Sequence, residues 1–257
     1  MDYATRRKIQ RQDANGRDLF ALIPEDKLAP ALEGQVHVLR EGIICMTDYR
    51  ARKRSREEIV LDATEGFIPL WAENQVLRWR FNMASLSFFE RPDSIMSTIR
   101  GLIDDAVTAW RDAVPIRFKE NSDNSDFEIV IERRASCTPQ GCTLAMAFFP
   151  DSGRHQLFIY PTMFDQNRKE QVDTLSHEFA HVYGLRHFFA PENETDWPSV
   201  VFGEHAPFSI MNYGNFSELT QADRRDLKLL YDGVWSGQIR EINRTPIKLV
   251  HPFSGPA

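Results

Sequence analysis

The chain has 257 residues, enough for one sizeable catalytic domain with additional segments or for two small domains. Hydrophobic residues make up 42% and charged residues 26%, which is typical of a soluble globular protein that buries a core. The net charge of −6 argues against nucleic acid or an anionic membrane as the main partner. No apolar run approaches the roughly 20 residues of a membrane-spanning helix, so we expect no membrane partner.

The first 65 residues are rich in charges of both signs and are assigned to an N-terminal extension or pro-segment. They begin with MDYATRRKIQRQDANGRD, which lacks the apolar segment of a secretory signal. The localisation stays open, because a cytosolic protein, a secreted protein whose signal was removed and export by another route all fit. The run RARKRSREE at positions 50–58 is interpreted as a solvated helix or loop, and the apolar pattern of QVHVLREGIICMT predicts short strands.

From residue 66 the hydrophobic pattern becomes regular, and it predicts an α+β domain over residues 66–234. Helices are predicted over 94–113, over 171–184 with Gly184 as the terminator, and over 221–233 between a Thr220 cap and Gly233. Strands are predicted over 76–81, 115–120, 127–133, 143–150 and 156–161. This order of elements favours a mixed sheet. Residues 235–257 form a C-terminal tail to which the pattern assigns no structure.

The three cysteines do not form a metal-binding pattern by themselves. Cys137 and Cys142 are separated by the turn-forming stretch TPQG. A small disulfide loop and two free thiols are equally consistent with that spacing, and Cys45 leaves an odd cysteine in either case.

Two histidines on the predicted helix 171–184 are spaced for metal binding. His177 and His181 are four residues apart and therefore lie on one helix face, so both imidazoles can reach one ion. Zinc prefers four tetrahedral ligands and accepts imidazole nitrogen. Gly184 lets the chain leave the helix in a left-handed conformation, after which His187 can turn back as the third ligand. The fourth position is left for water.

Glu178 follows the first of these histidines and is the predicted catalytic base. Zinc lowers the pKa of a bound water to roughly 7, and a neighbouring carboxylate can then accept its proton and return it to a leaving amine. The residues therefore predict a water-activating peptidase site. Histidines that merely lie at the surface or in the core are the alternative, and Gly184 and His187 in register make it the weaker one.

The string HEFAHVYGLRH resembles the extended zinc signature of the metzincin metallopeptidases. A second motif agrees with it, since SIMNYG is similar to the methionine turn beneath the zinc of that clan. The resemblance covers about residues 70–234 and implies a twisted mixed sheet, an active-site helix and a C-terminal helix. It implies that Met211 is the turn methionine, and that Tyr213 stabilises the charged transition state, as in astacin-like and serralysin-like enzymes. The alternatives are an ordinary core methionine and a packed tyrosine.

Further segments extend the resemblance, and one residue departs from it. TLAMAFFP is similar to the edge strand on which matrixins bind substrate in extended form, and LTQADRRDLKLLY is similar to the C-terminal helix of matrixins and astacins. Phe188, directly after the third ligand, matches none of the astacin, matrixin, reprolysin or serralysin residues at that position. The chain is therefore placed in the clan, without a family.

Several further residues are candidates for additional roles at the site. His155 and His205 are candidate ligands, although exposed loop histidines are the favoured interpretation. A calcium ion, which relatives bind through carboxylates, is a second candidate cofactor, but no spacing defines its site. The candidate carboxylates are Asp151, Asp165, Glu192, Glu194 and Asp196. Cys45 or Asp48 could occupy the open zinc position in a zymogen, yet neither lies in a known pro-segment motif.

Together these observations predict a zinc endopeptidase that cleaves extended protein or peptide substrates, with His177, His181 and His187 as zinc ligands. The alternative from another class is a non-catalytic binding or toxin-like module on the same scaffold. The intact Glu178 argues against that alternative, because a module that only binds has no chemical need for the base. The sequence indicates neither the substrate nor an oligomeric state.

Overall fold

The computed structural model describes residues 12, 16–24, 59–62, 66–138, 141–186, 199–202, 209–211 and 218–255. The strands predicted within QVHVLREGIICMT, the run RARKRSREE, Cys45 and Asp48 lie outside these residues. Among the helices of the described part, none is both long and apolar enough to cross a membrane.

The described part of the chain is a mixture of strands and helices. In chain order the strands are β1 (Ile59–Asp62), β2 (Ile68–Trp71), β3 (Val76–Phe81), β4 (Arg117–Glu120), β5 (Phe127–Ile131), β6 (Ser136–Thr138), β7 (Gly141–Thr143), β8 (Ala145–Met146), β9 (His155–Ile159), β10 (Leu185–Arg186), β11 (Ser199–Phe202), β12 (Glu241–Ile242) and β13 (Thr245–Val250). The helices are α1 (Met83–Leu86), α2 (Pro92–Ala109), α3 (Arg168–Val182) and α4 (Gln221–Trp235). Short 3-10 helices cover Arg111–Ala113 and Pro161–Asp165.

The largest sheet has the strand order β4-β3-β5-β9-β8. Its first four strands are parallel, and β8 pairs antiparallel with β9 at the edge. The inner strand β5 alternates buried and half-buried residues along FEIVI, as expected for a strand covered more fully on one face. The predicted α+β class with a mixed sheet is therefore confirmed.

Helix α2 packs against α3, the helix that carries the histidine pair. The buried face of α2 is made by Ile95, Ile99, Leu102, Ile103 and Ala106. Trp110 at its end donates from its indole nitrogen to the Ser176 carbonyl at 3.1 Å, which ties the two helices together. The helix predicted over 94–113 is present, but it begins at Pro92, a favoured residue for a first helical turn, and ends at Ala109.

Two further predicted boundaries also differ from the structure. The strand predicted over 143–150 is reduced to β8, because Thr143 belongs to β7, in a hairpin closed by the Cys137–Cys142 disulfide. Helix α4 does not end at Gly233 but continues to Trp235. Gly233 is buried there, and a Cβ on it would lie 2.5 Å from Ile239 Cδ1. This glycine therefore permits close packing and does not terminate the helix.

The segment after Trp235, for which the sequence predicted no structure, adds a strand to a second sheet. Strands β12 and β13 form a hairpin, and β13 pairs parallel with β2. The Ser254 backbone amide then donates to the buried carboxylate of Asp126 at 2.6 Å. The end of the described chain is thereby fastened to the main sheet beside β5.

Two buried tyrosines, Tyr183 at the end of α3 and Tyr231 in α4, differ in the hydrogen bonds that their hydroxyl groups make. The Tyr231 hydroxyl donates to the Tyr183 carbonyl at 3.0 Å and accepts from the Trp71 amide at 3.4 Å. The Tyr183 hydroxyl has no hydrogen-bond partner among the described residues. Burial raises the pKa of both phenols, so both hydroxyls are neutral near pH 7.

Because of this difference, replacing tyrosine with phenylalanine should change the free energy of unfolding differently at the two positions. Tyr183→Phe removes an unpaired buried hydroxyl, so we expect the free energy of unfolding to stay the same or rise by up to about 1 kcal/mol. Tyr231→Phe removes a bonded hydroxyl and should lower it by about 1–2 kcal/mol. Urea unfolding of both variants beside the wild type measures this. A larger loss in Tyr183→Phe than in Tyr231→Phe would contradict it.

Candidate metal centre

Helix α3 presents three of the predicted site residues from one rigid element. It begins with a capping box, in which the Asn167 side chain accepts from the Glu170 amide and the Glu170 carboxylate accepts from the Asn167 amide. The helix therefore starts at Arg168, one turn before the predicted position. His177, Glu178 and His181 follow in its last turns, where burial is greatest.

The two helical histidines point their Nε2 atoms at each other. These atoms lie 3.2 Å apart. Two nitrogen ligands of one tetrahedral zinc ion, each about 2.0–2.1 Å from the metal, would lie about 3.3–3.4 Å apart. The separation therefore fits two ligands of one zinc ion.

Backbone carbonyls hold both imidazoles from behind. His177 Nδ1 lies 2.7 Å from the Ile210 carbonyl oxygen, and His181 Nδ1 lies 2.8 Å from the Leu185 carbonyl oxygen. Because a carbonyl can only accept, each Nδ1 carries the proton and each Nε2 keeps its lone pair. Two lone pairs that converge at this distance favour a cation, a metal ion or a proton, between them, and carbonyl support of this kind is usual for metal-binding histidines.

The third predicted ligand, His187, lies outside the described residues, as do Tyr213, Phe188 and His205. In the described part of the chain no cluster of three His, Cys, Asp or Glu side chains is placed to hold a metal ion. The fit to zinc therefore rests on His177 and His181, while the other roles stay predictions.

Gly184 connects α3 to β10 in a conformation that suits glycine. Its φ is +94°, and a Cβ would lie 3.1 Å from Leu70 Cδ2 and 3.4 Å from the Pro69 carbonyl oxygen. A side chain here would meet both the backbone strain of positive φ and the packed strand β2. The turn brings the Leu185 carbonyl back to His181.

The segment Ser209–Met211 supports the other histidine, and its anchor was not identified from the sequence. Met211 is 1% exposed, and the Ile210 carbonyl holds His177. The Ser209 hydroxyl donates to Asp223 at 2.6 Å and accepts from the Met211 amide at 3.1 Å. Asp223 is buried at the start of α4, where it also completes a capping box with Thr220. The spacing of Thr220 and Asp223 is the signal that could have identified this anchor.

Glu178 and Phe149 complete the described surroundings of the pair. Glu178 as a whole residue is 4% exposed and is therefore buried, and it directly follows His177 in the chain. Phe149 follows the edge strand β8, and its half-buried ring packs edge-on against His181 with centroids 5.4 Å apart. Helix α3 also packs against β8. The histidine pair therefore lies beside the edge of the main sheet.

The structure places the other described candidates apart from a metal cluster. His155 begins β9 and stacks on Phe148 with ring centroids 4.3 Å apart. Asp151 accepts from the Gly153 amide in the connection between β8 and β9, and Asp165 ends a 3-10 helix. The remaining carboxylates considered for calcium, Glu192, Glu194 and Asp196, lie outside the described residues.

His155 predicts a pH dependence of stability. Burial lowers its pKa below the ordinary 6.5, against an opposing contribution from Asp151. Below about pH 6.5 the unfolded chain therefore takes up a proton that the folded chain resists, and stability falls as the pH drops. His155→Phe should reduce this loss between pH 7.5 and 5.5 in urea unfolding. An equal loss in wild type and His155→Phe would contradict the assignment.

No family model matches this chain, and no curated protein matches it. Among solved structures it is similar to that of myroilysin, with 13% sequence identity and a TM-score of 0.42. The match covers 67% of this chain and 98% of the other. Support for a function therefore comes from the histidine pair and its surroundings.

Proposed function

We propose that the chain is a zinc-dependent endopeptidase of the metzincin type, with His177, His181 and His187 as the zinc ligands. The observation that supports it most directly is the convergence of two Nε2 lone pairs 3.2 Å apart, each fixed by a carbonyl behind the ring. The motifs HEFAHVYGLRH and SIMNYG add the third histidine and the turn methionine. When bound, zinc supplies Lewis acidity that activates water and polarises a peptide carbonyl.

Glu178 acts as the general base. Its carboxylate accepts a proton from the water as the water oxygen forms a bond to the scissile carbonyl carbon, and it passes the proton to the nitrogen as the C–N bond breaks. The low exposure of Glu178 suits this role, because few water molecules compete for the carboxylate. Tyr213 is the proposed donor to the developing oxyanion, and Met211 forms the floor of the site.

The substrate is proposed to bind in extended form along β8. Among the described residues this strand pairs only with β9, so its outer edge has backbone groups available for an added strand. Strand addition uses main-chain hydrogen bonds and demands little of the substrate sequence. Phe149, whose ring contacts His181, is the apolar side chain proposed to line the path of such a strand.

The test combines metal removal with a peptide library. We expect the purified protein to carry about one zinc ion per chain and to cleave a casein-type substrate. Dipicolinate should abolish cleavage and added zinc should restore it. Zinc binding without cleavage of any library peptide would favour the non-catalytic binding module. Cleavage that persists in zinc-free protein would refute the proposal.

A further inference from the structure

Strand β1 lies between the two strands that flank the segment containing His187. It pairs antiparallel with β10 on one side, Val60 opposite Arg186 and Leu61 opposite Leu185. On the other side it pairs antiparallel with β11, from Ile59 opposite Phe202 to Asp62 opposite Ser199. One short strand from the N-terminal 65 residues therefore pairs with both β10 and β11, the described strands that precede and follow residues 187–198 in the chain.

The β10 side of this sheet is in direct contact with the histidine pair. Leu185, which pairs with Leu61, is the residue whose carbonyl lies 2.8 Å from His181 Nδ1. Leu61 and Leu185 are both fully buried, and Arg186 is 1% exposed. The carbonyl that fixes the His181 tautomer is thus carried by a two-residue strand, and β1 is its partner in the sheet.

We propose that β1 is a positioning strand for the metal centre, acting on His181 through the Leu185 carbonyl. The inference rests on the proposed zinc function. Strand β10 has only two residues, too few to fix its orientation by itself. Its pairing with β1 therefore sets the direction of the Leu185 carbonyl. The proposed third ligand, His187, follows Arg186 directly in the chain, and Arg186 is the last residue of β10. The N-terminal extension would then contain a part that the site needs, and could not be wholly a removable pro-segment.

Proline substitutions test the pairing separately from the packing. In a central antiparallel strand, the polar backbone groups of neighbouring residues point to opposite sides, so those of Val60 and Leu61 face different partner strands. Proline at either position removes one N–H and breaks one of the two ladders. Val60→Ala and Leu61→Ala keep the N–H and control for the lost side chain.

The first readout is the imidazole tautomer in zinc-free protein, measured by long-range nitrogen NMR at one pH where both rings are neutral. In wild type we expect Nδ1-protonated rings at both positions. In the proline variant that breaks the β10 ladder, His181 should be a mixture of its two neutral tautomers. His177 should keep the Nδ1-protonated form, because the Ile210 carbonyl still holds it, and it serves as the internal control. It should also lower zinc affinity by about 10–100-fold, measured by competition with a chromogenic chelator, because loss of support behind a ligand costs about that much.

A measurement on wild type covers the case in which a proline variant does not fold. Coupling is reciprocal, so zinc should slow hydrogen exchange in β1 by about the same 10–100-fold, with the β6–β7 hairpin as the unaffected comparison. The inference is overturned if zinc binds without slowing exchange in β1, or if a folded β10-breaking proline leaves His181 and zinc affinity unchanged. It is also overturned if the alanine controls match the prolines. Failure of wild type to bind zinc refutes the proposed function, while the zinc-free tautomer readout still decides whether β1 positions His181.

Discussion

Replacing Glu178 with glutamine is expected to lower kcat/KM for a peptide substrate by about 10²–10⁴-fold, the usual contribution of a positioned general base. Glutamine keeps the size of the side chain and its ability to accept hydrogen bonds, but its amide cannot take the proton from water. Glu178 is a buried residue, so bulk water is poorly placed to replace the carboxylate as the base. Because Glu178 is not a proposed ligand, zinc content should remain at the wild-type level.

The measurement is a peptide cleavage rate together with the zinc content of the same preparation. Glu218→Gln is the matched control, since the same chemical change is made at a carboxylate that is 63% exposed. The control should cleave at the wild-type rate. A zinc-loaded Glu178→Gln protein that cleaves as fast as this control would remove Glu178 from the mechanism and leave the metal proposal standing.

The histidine pair was predictable from the sequence because its geometry is local. Positions 177 and 181 share a helix face once the helix exists, and the capping box at Asn167 and Glu170 shows why the helix begins where it does. The same reasoning predicted α2 and most strands of the main sheet. Its errors at Gly233 and β8 came from packing and hairpin contacts that a local pattern does not contain.

The supports of the two histidines could not be predicted in this way. They are backbone carbonyls, which every residue carries, so no residue type marks Ile210 or Leu185 as a partner. The pairing of Leu61 with Leu185 joins distant parts of the chain. The motif therefore predicted which side chains would bind the metal. The contacts that orient these side chains depend on the tertiary fold.

Asp223 is the buried side chain whose loss should destabilise both the fold and the metal centre. It is 6% exposed and accepts from the Ser209 hydroxyl at 2.6 Å, the Thr220 amide at 2.8 Å and the Thr220 hydroxyl at 2.7 Å. Hydrogen bonds to a charged group contribute about 1.5–3 kcal/mol each. Asp223→Ala leaves several buried donors without an acceptor, so we expect the free energy of unfolding to fall by about 3–5 kcal/mol.

The metal centre should lose support in the same variant. The Ser209 hydroxyl holds the Met211 amide, and the Ile210 carbonyl between them holds His177. Freeing this segment should lower zinc affinity by about 10–100-fold, the cost of losing a partner behind a ligand. Chelator competition on folded protein measures the affinity, and urea unfolding of zinc-free protein measures the stability.

Two further variants separate the roles of Asp223. Thr220→Ala removes the helix cap but keeps the contact with Ser209, and should cost about 1 kcal/mol with little change in zinc affinity. Ser209→Ala removes the contact with the turn but keeps the cap, and should carry most of the loss in zinc affinity. If Thr220→Ala lowers zinc affinity as much as Ser209→Ala does, Asp223 supports the centre through the start of α4 and not through the hydroxyl of Ser209.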